Sequence, residues 1–223
     1  MKNELNNRIL SSIILIPIAF FFIIQGSVFF AFFLSIFFLT CSYEWVKMNK
    51  KKSIKIFGIV YFLIAVSSAY FLREDFGKSL FFFVIIVCIF TDIGGYIFGK
   101  IFKGPKLTKI SPKKTYAGMI GSFVLSIIFA LVYTKYYQFG DLTKVQILSF
   151  IDNNSEYSNL IFLLIILFIS SLSQIGDLII SYFKRIAKVK DTGKILPGHG
   201  GLLDRVDGII FAIPILYLII NLI

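Results

Sequence analysis

Seven long apolar runs constrain what this chain can fold into. Of its 223 residues, 57% are hydrophobic and 27 are phenylalanine, and the mean hydropathy is +0.87. A run of roughly 20 apolar residues can cross the bilayer as an α-helix, whereas a transmembrane β-strand alternates apolar and polar residues. The continuous runs therefore predict an all-α, polytopic membrane protein. The predicted spans are about 9–25, 27–45, 54–72, 79–99, 115–134, 159–183 and 208–223.

Basic residues are concentrated in alternate connections between these runs. The amino terminus and the second, fourth and sixth connections hold 19 of the 23 lysines and arginines, and the other connections hold 4. Lys and Arg are retained on the cytoplasmic side of membranes, which predicts a cytoplasmic amino terminus. The net charge of +11 does not indicate nucleic-acid binding, because it lies in short loops beside the membrane.

Two aspartates interrupt the apolar runs. Asp92 lies in the fourth run and Asp177 in the sixth, each about 10–12 Å from the predicted cytoplasmic edge. A charged side chain at the bilayer centre costs about 3 kcal/mol or more, so such residues usually face a cavity. The sixth run also carries a polar stripe at helical spacing, which favours either a site or hydrogen bonding between helices. The stripe consists of Ser170, Ser173, Gln174, Asp177, Ser181 and Lys184.

Two glycines near Asp92 have a simpler interpretation. Gly95 and Gly99 are four residues apart, which predicts a face where another helix packs closely. Packing accounts for the glycines but leaves Asp92 unexplained.

The stretch KDTGKILPGHGGLLDRVDG, residues 190–208, gathers three aspartates, five glycines and the only histidine. It is either a solvated loop or the place where a charged substrate meets the membrane. Carboxylates suit Mg²⁺, and basic side chains with glycine-rich backbone suit phosphate oxygens. Carboxylates and basic groups together are typical of sites for metal-assisted phosphoryl or nucleotidyl transfer. The acids are Asp177, Asp204 and Asp207, with Asp92 as a further candidate, and the bases are Lys113, Lys114, Lys184, Arg185, Lys188, Lys190 and Arg205.

These residues closely resemble the signature of the phosphatidate cytidylyltransferases, or CDP-diacylglycerol synthases. The match consists of Ser181, Lys184, Arg185, Lys190, Asp191, Gly193, Pro197, His199, Gly200, Gly201, Asp204, Arg205 and Asp207. Upstream, DIGGYIFGKIFKGPKLTKISPKKTYAG resembles another family segment, so the resemblance covers roughly 92–208. The chain departs from the family at Ala117, where many members carry Glu or Gln, and at Gly95, where Ala is common.

The resemblance implies Mg²⁺-dependent transfer of CMP from CTP to phosphatidate, giving CDP-diacylglycerol and pyrophosphate for phospholipid synthesis. The expected catalytic residues are Asp177, Asp204, Lys114 and Arg205. Asp177 and Asp204 are the expected metal ligands, with Asp92 and Asp207 as further candidates. His199 either contacts phosphate or orders its loop. Expected substrate contacts are Ser111, Lys113, Thr115, Ser173, Ser181, Lys184, Arg185, Lys188, Lys190, His199, Gly200 and Gly201.

The expected organisation is a single integral-membrane domain over 1–223, with amino-terminal helices in 1–80 and catalytic helices and loops in 81–223. The expected location is the bacterial cytoplasmic membrane, with the site facing the cytosol. CTP, phosphatidate and the bilayer are the expected partners, and a homodimer is left open. Two alternatives remain: a CTP-dependent polyprenol-type kinase, which would release CDP, and an anion transporter. The apolar outer halves of the runs disfavour transport.

Overall fold

The computed structural model describes residues 2–136, 158–195 and 200–222, and every predicted apolar run lies in a helix there. In lipid a backbone must satisfy its own hydrogen bonds, and a helix does so within one segment. Five of the helices, α2 to α6, are long and apolar enough to cross a membrane, which confirms an all-helical membrane protein. The helices are α1 (Lys2–Gln25), α2 (Ser27–Met48), α3 (Lys52–Phe76), α4 (Lys78–Phe102), α5 (Tyr116–Tyr136), α6 (Ser158–Ile186) and α7 (Leu203–Leu222).

The turn between α1 and α2 is held by two side chains of α3. Gly26 has a φ of 67°, and a Cβ there would overlap the Arg73 guanidinium. Arg73 donates to the carbonyls of Ile23 and Ile24 at 3.0 and 2.9 Å, where α1 ends. Glu74 accepts a 2.7 Å hydrogen bond from the Ser27 amide, where α2 begins. Both otherwise unsatisfied helix ends are therefore capped from a third helix.

Helices α4 and α5 approach each other through glycine. A Cβ on Gly94 would overlap the Gly121 carbonyl, and one on Gly118 would lie 2.7 Å from the Gly95 carbonyl. Gly99 faces Thr115 and Gly118. The prediction that Gly95 and Gly99 form a close-packing face is confirmed, with α5 as the partner.

Two buried apolar clusters lie along the bundle. One joins all seven described helices around side chains such as Phe30, Leu72, Phe83 and Ile166. The second contains Trp45, Phe62, Ile180 and Leu203, and it lies next to the connection between α6 and α7. We call this end of the bundle, which carries the α2–α3, α4–α5 and α6–α7 connections, the basic end. Large apolar side chains such as Phe29, Phe57 and Leu131 point outward, as expected for helices in lipid.

Candidate active site

The connection between α4 and α5 is ordered by its own backbone. Lys106 and Thr115 form an isolated antiparallel bridge, and the Leu107 amide donates to the Lys114 carbonyl at 2.8 Å. Thr115 Oγ1 accepts a 3.1 Å hydrogen bond from the Gly118 amide, which caps the first turn of α5. These contacts fix the backbone of Lys114 directly before α5.

A cavity of about 240 Å³ lies between this connection and helices α4, α5 and α6. Its wall includes Asp92 from α4, Lys113 and Lys114 from the connection, and Gln174 and Asp177 from α6. Ordinary ligand pockets are of comparable or larger volume. The predicted intramembrane aspartates thus share one cavity.

Asp177 is paired with a cation across this cavity. Lys114 Nζ lies 2.5 Å from Asp177 Oδ2, and the two side chains are 24% and 29% exposed, so the pair remains accessible. Ser181 Oγ donates to Asp177 Oδ1 at 3.3 Å, one helical turn away. Asp177 and Ser181, two members of the polar stripe on α6, therefore contact each other, and Asp177 also pairs with Lys114.

Two more carboxylates lie within electrostatic range of Asp177. The charges of Asp177, Lys114 and Arg205 act on Asp92, and the charges of Asp92 and Asp177 act on Asp207. Asp207 is buried in the first turns of α7, where its Oδ1 accepts a 2.9 Å hydrogen bond from the Gly208 amide. The sequence predicts that Asp177, Asp204 and Asp207 converge, with Asp92 as a further candidate. Asp92 and Asp207 lie within electrostatic range of Asp177, and the described contacts of Asp204 are with other groups.

Asp204 is held by a different set of partners. Its Oδ1 lies 2.7 Å from Lys184 Nζ, and the two side chains are only 10% and 12% exposed. Its Oδ2 accepts hydrogen bonds from the Thr192 amide at 2.7 Å and the Gly201 amide at 3.2 Å, and lies 3.0 Å from the Thr192 hydroxyl. Both oxygens of Asp204 thus bind the protein itself, and this carboxylate orders the loop before α7.

The remaining predicted contacts are spread around these two centres. Arg185 Nε donates to the Ile110 carbonyl at 3.3 Å, which ties α6 to the α4–α5 connection. Ser173 is fully buried against Gly208, between α6 and α7, and does not contribute to the cavity wall.

His199 lies outside the described residues. Lys188, Lys190 and Arg205 are exposed, Ser111 is partly exposed, and Gly200 has a φ of 89° beside Asp191 and Asp204.

Among the described residues, the acidic side chains do not form a preformed metal cage. In the described parts of the chain, no three His, Cys, Asp or Glu side chains are grouped so that they would hold an ion. Mg²⁺ usually takes one or two carboxylates and completes its shell with water and substrate phosphates. Asp177, accessible and near Asp92, matches that requirement.

Glu44 and Thr192 also belong to this region, although the sequence did not assign them a role. Glu44 is 1% exposed at the end of α2, and it accepts hydrogen bonds from the loop and from the start of α7. The available signal was a lone carboxylate at the edge of an apolar run, where burial requires partners. Thr192 lies inside the signature stretch between two recognised residues, Asp191 and Gly193.

Comparison with known proteins gives a family match and several similar bacterial proteins. A model described as the cytidylyltransferase family matches residues 53–223. The phosphatidate cytidylyltransferase of Rickettsia felis is 36% identical, over 98% of this chain and 93% of that protein. That of Rickettsia conorii is 35% identical, over 97% and 91%. The phosphatidate cytidylyltransferase of Bacillus subtilis is 36% identical, over 67% of this chain and 50% of that protein.

Proposed function

Because the chain belongs to the cytidylyltransferase family, we propose that it is a phosphatidate cytidylyltransferase. It transfers CMP from CTP to phosphatidate and releases pyrophosphate. The observation that carries this proposal is the Lys114–Asp177 pair, which lies in an accessible cavity among apolar helices. A site of this kind can be reached by a polar nucleotide and by a lipid headgroup.

The reaction needs electrostatic assistance more than a strong base. A phosphate oxygen of phosphatidate attacks the α-phosphorus of CTP, a new P–O bond forms, and the bond to the leaving pyrophosphate breaks. The attacking oxygen is already anionic, so the main barrier is the repulsion between two polyanions. Fixed cations lower such a barrier when they lie where negative charge develops.

The chain supplies these cations at the basic end, from the α4–α5 connection, the last turn of α6 and the first turn of α7. Lys114 lies in the cavity wall, and Lys184 is held by Asp204. Arg205 follows Asp204 directly and acts electrostatically on Asp92. We assign Lys114 to the phosphate groups in the cavity, and Lys184, Arg185 and Arg205 to the pyrophosphate side of CTP.

Mg²⁺ is part of this proposal, with Asp177 as its principal carboxylate. Asp92 and Asp207 lie within electrostatic range of Asp177 and are further candidates. Asp204 as a ligand stays a prediction, since its described contacts are with Lys184, Thr192 and Gly201. When bound, the metal would screen the triphosphate charge.

We also propose that α1 and α7 cross the membrane together with α2 to α6. The amino terminus would then be cytoplasmic, and the basic end would face the cytosol, where CTP is available. The similar bacterial proteins support a bacterial inner membrane as the location. In this arrangement 81–223 supplies most of the catalytic groups, and 1–80 supplies the supporting helices.

Two labelled nucleotides separate this function from its closest alternative. Purified protein is incubated with phosphatidate, Mg²⁺ and CTP labelled at either the α- or the γ-phosphate. A cytidylyltransferase places the α-label in lipid and the γ-label in pyrophosphate, whereas a lipid kinase, given a polyprenol in parallel, places the γ-label in lipid. Absence of α-label from lipid, with γ-label in the polyprenol product, would reject the proposed function. The Asp177→Asn variant shows whether product depends on this site.

A further inference from the structure

Glu44 is a buried carboxylate whose described partners all lie far away in the sequence. Its Oε1 accepts a 2.9 Å hydrogen bond from the Leu202 amide, and its Oε2 accepts one of 2.9 Å from the Leu203 amide. Leu203 is the first residue of α7. A negative charge at a helix start satisfies free amide groups and interacts favourably with the helix dipole. Glu44 of α2 therefore caps α7.

The same carboxylate shapes the loop that precedes α7. A Cβ on Gly193 would lie 2.5 Å from Glu44 Oε1, and a Cβ on Gly201 would lie 2.6 Å from Glu44 Oε2. A side chain at either position would displace Glu44 from its hydrogen bonds, so glycine suits both positions. Glu44 therefore contacts the loop in both of its described parts, 187–195 and 200–202.

Thr192 connects Glu44 to the site. Its hydroxyl lies 3.1 Å from Glu44 Oε2 and 3.0 Å from Asp204 Oδ2, but it has only one proton to donate. The Thr192 amide already donates to Asp204 Oδ2 at 2.7 Å, which leaves the hydroxyl proton available to Glu44. Asp204 in turn holds Lys184 Nζ at 2.7 Å. A continuous chain of contacts runs from α2 to a cation of the site.

We propose that Glu44 is a positioning residue: by fixing Thr192, Leu202 and Leu203, it sets the place of Asp204 and hence of Lys184 against the nucleotide phosphates. Burial of an ionised carboxylate is costly, so its retention at this point calls for a specific role. Glu44 precedes residues 53–223, which the family model matches. The inference rests on the proposed function for the identity of the substrates.

The test compares Glu44→Gln with Thr192→Val and Thr192→Ser in the purified full chain. Misplaced catalytic groups cost up to about a hundredfold in rate, so we expect Glu44→Gln and Thr192→Val to lower kcat/KM for CTP by about tenfold or more. The KM for phosphatidate should stay within about twofold of the wild-type value, since these substitutions do not alter how the lipid binds. Thr192→Ser keeps the hydroxyl and should restore the CTP kinetics. The double variant Glu44→Gln/Thr192→Val should be less impaired than the two single effects predict together, because the residues share one contact.

Glu74→Gln is the matched control. Glu74 also caps a helix start from another helix, through the Ser27 amide, but at the end opposite the site. It should lower the Tm without changing the CTP kinetics. The inference would be overturned if Glu44→Gln and Thr192→Val kept their CTP kinetics, or if Glu74→Gln impaired them equally.

Amide hydrogen exchange tests the same link without turnover. In Glu44→Gln the peptide containing Leu202 and Leu203 should exchange faster, while peptides of α4 and α5 should be unchanged. If the wild-type protein transfers no CMP, the proposed function fails. Amide hydrogen exchange is then the measurement that tests the positioning role of Glu44. Unchanged exchange at Leu202 and Leu203 would overturn the positioning role whatever the reaction is.

Discussion

Lys114 Nζ lies 2.5 Å from Asp177 Oδ2, and this pair joins the α4–α5 connection to α6 across the cavity. Each partner keeps about a quarter of its side chain exposed, so the pair is open to incoming ligands. A bound metal or phosphate would compete with this contact. The pair therefore supports the wall of the cavity and marks a position where substrates can bind.

Asp177→Asn should lower kcat by about a hundredfold or more, because it removes the principal carboxylate while preserving shape. Lys114→Gln should have a comparable effect on kcat/KM for CTP. Since the two groups interact directly, the double variant should lose less than the product of the single losses. Lys109→Gln, an exposed lysine of the same connection, is the control and should keep wild-type kinetics. Near-normal turnover of Asp177→Asn at ordinary Mg²⁺ would remove Asp177 from the site.

Asp204→Asn should affect stability as well as activity. The amide would place a donor where the carboxylate now accepts from Lys184, Thr192 and Gly201. Lost hydrogen bonds to a charged group cost about 1.5–3 kcal/mol each, so the Tm in detergent should fall. We expect extra Mg²⁺ to improve Asp177→Asn but not Asp204→Asn. Full rescue of Asp204→Asn by Mg²⁺, with an unchanged Tm, would instead identify Asp204 as a metal ligand.

The orientation in the membrane can be tested with single cysteines in a background lacking Cys41 and Cys88. Cysteines at Lys51, Lys106 and Lys194 belong to basic connections and should be protected from an impermeant thiol reagent outside intact cells. A cysteine at Asp75, an exposed position near the opposite end, should react. Reaction at Lys194 from outside would contradict both the topology and a cytosolic CTP site.

Two glycines of α4 should respond differently to alanine. In Gly94→Ala the new methyl would overlap the Gly121 carbonyl, whereas in Gly99→Ala the nearest atom would be Thr115 Oγ1 at 3.2 Å. Overpacking typically costs about 1–3 kcal/mol, so Gly94→Ala should lower the Tm. Gly99→Ala should be close to neutral, because alanine also favours the helix. Equal melting temperatures for the two variants would contradict the close approach of α4 and α5.

The helices were predictable because apolar length is a local property of the sequence. The helix that contains the apolar run 208–223 begins before the run, at Leu203. Its first turns contain Asp204, Arg205 and Asp207, which lower the local hydropathy, and they are helical with Glu44 capping the start. An apolar pattern cannot include a turn that is stabilised from another helix.

The sequence predicted that acidic and basic side chains meet, but it could not predict how they pair. Acids and bases of the right chemistry pointed to a common centre, and Asp177 and Asp92 indeed share a cavity. Which base meets which acid depends on how helices distant in sequence pack. The division into Lys114–Asp177 and Lys184–Asp204 therefore required the structure. Glu44 escaped assignment because its partners lie 148 to 159 residues away.

That separation also sets the order of events during synthesis. Chain elongation proceeds at about 5–20 residues per second, so the partner residues of Glu44 are synthesised about 7–30 seconds after α2. Through that interval Glu44 lacks its described partners, because they have not yet been synthesised. A nascent chain that ends before residue 203 carries every helix of the cavity, α4, α5 and α6, yet lacks the start of α7. The proposed positioning of Asp204 and Lys184 therefore cannot form until the start of α7 has been synthesised.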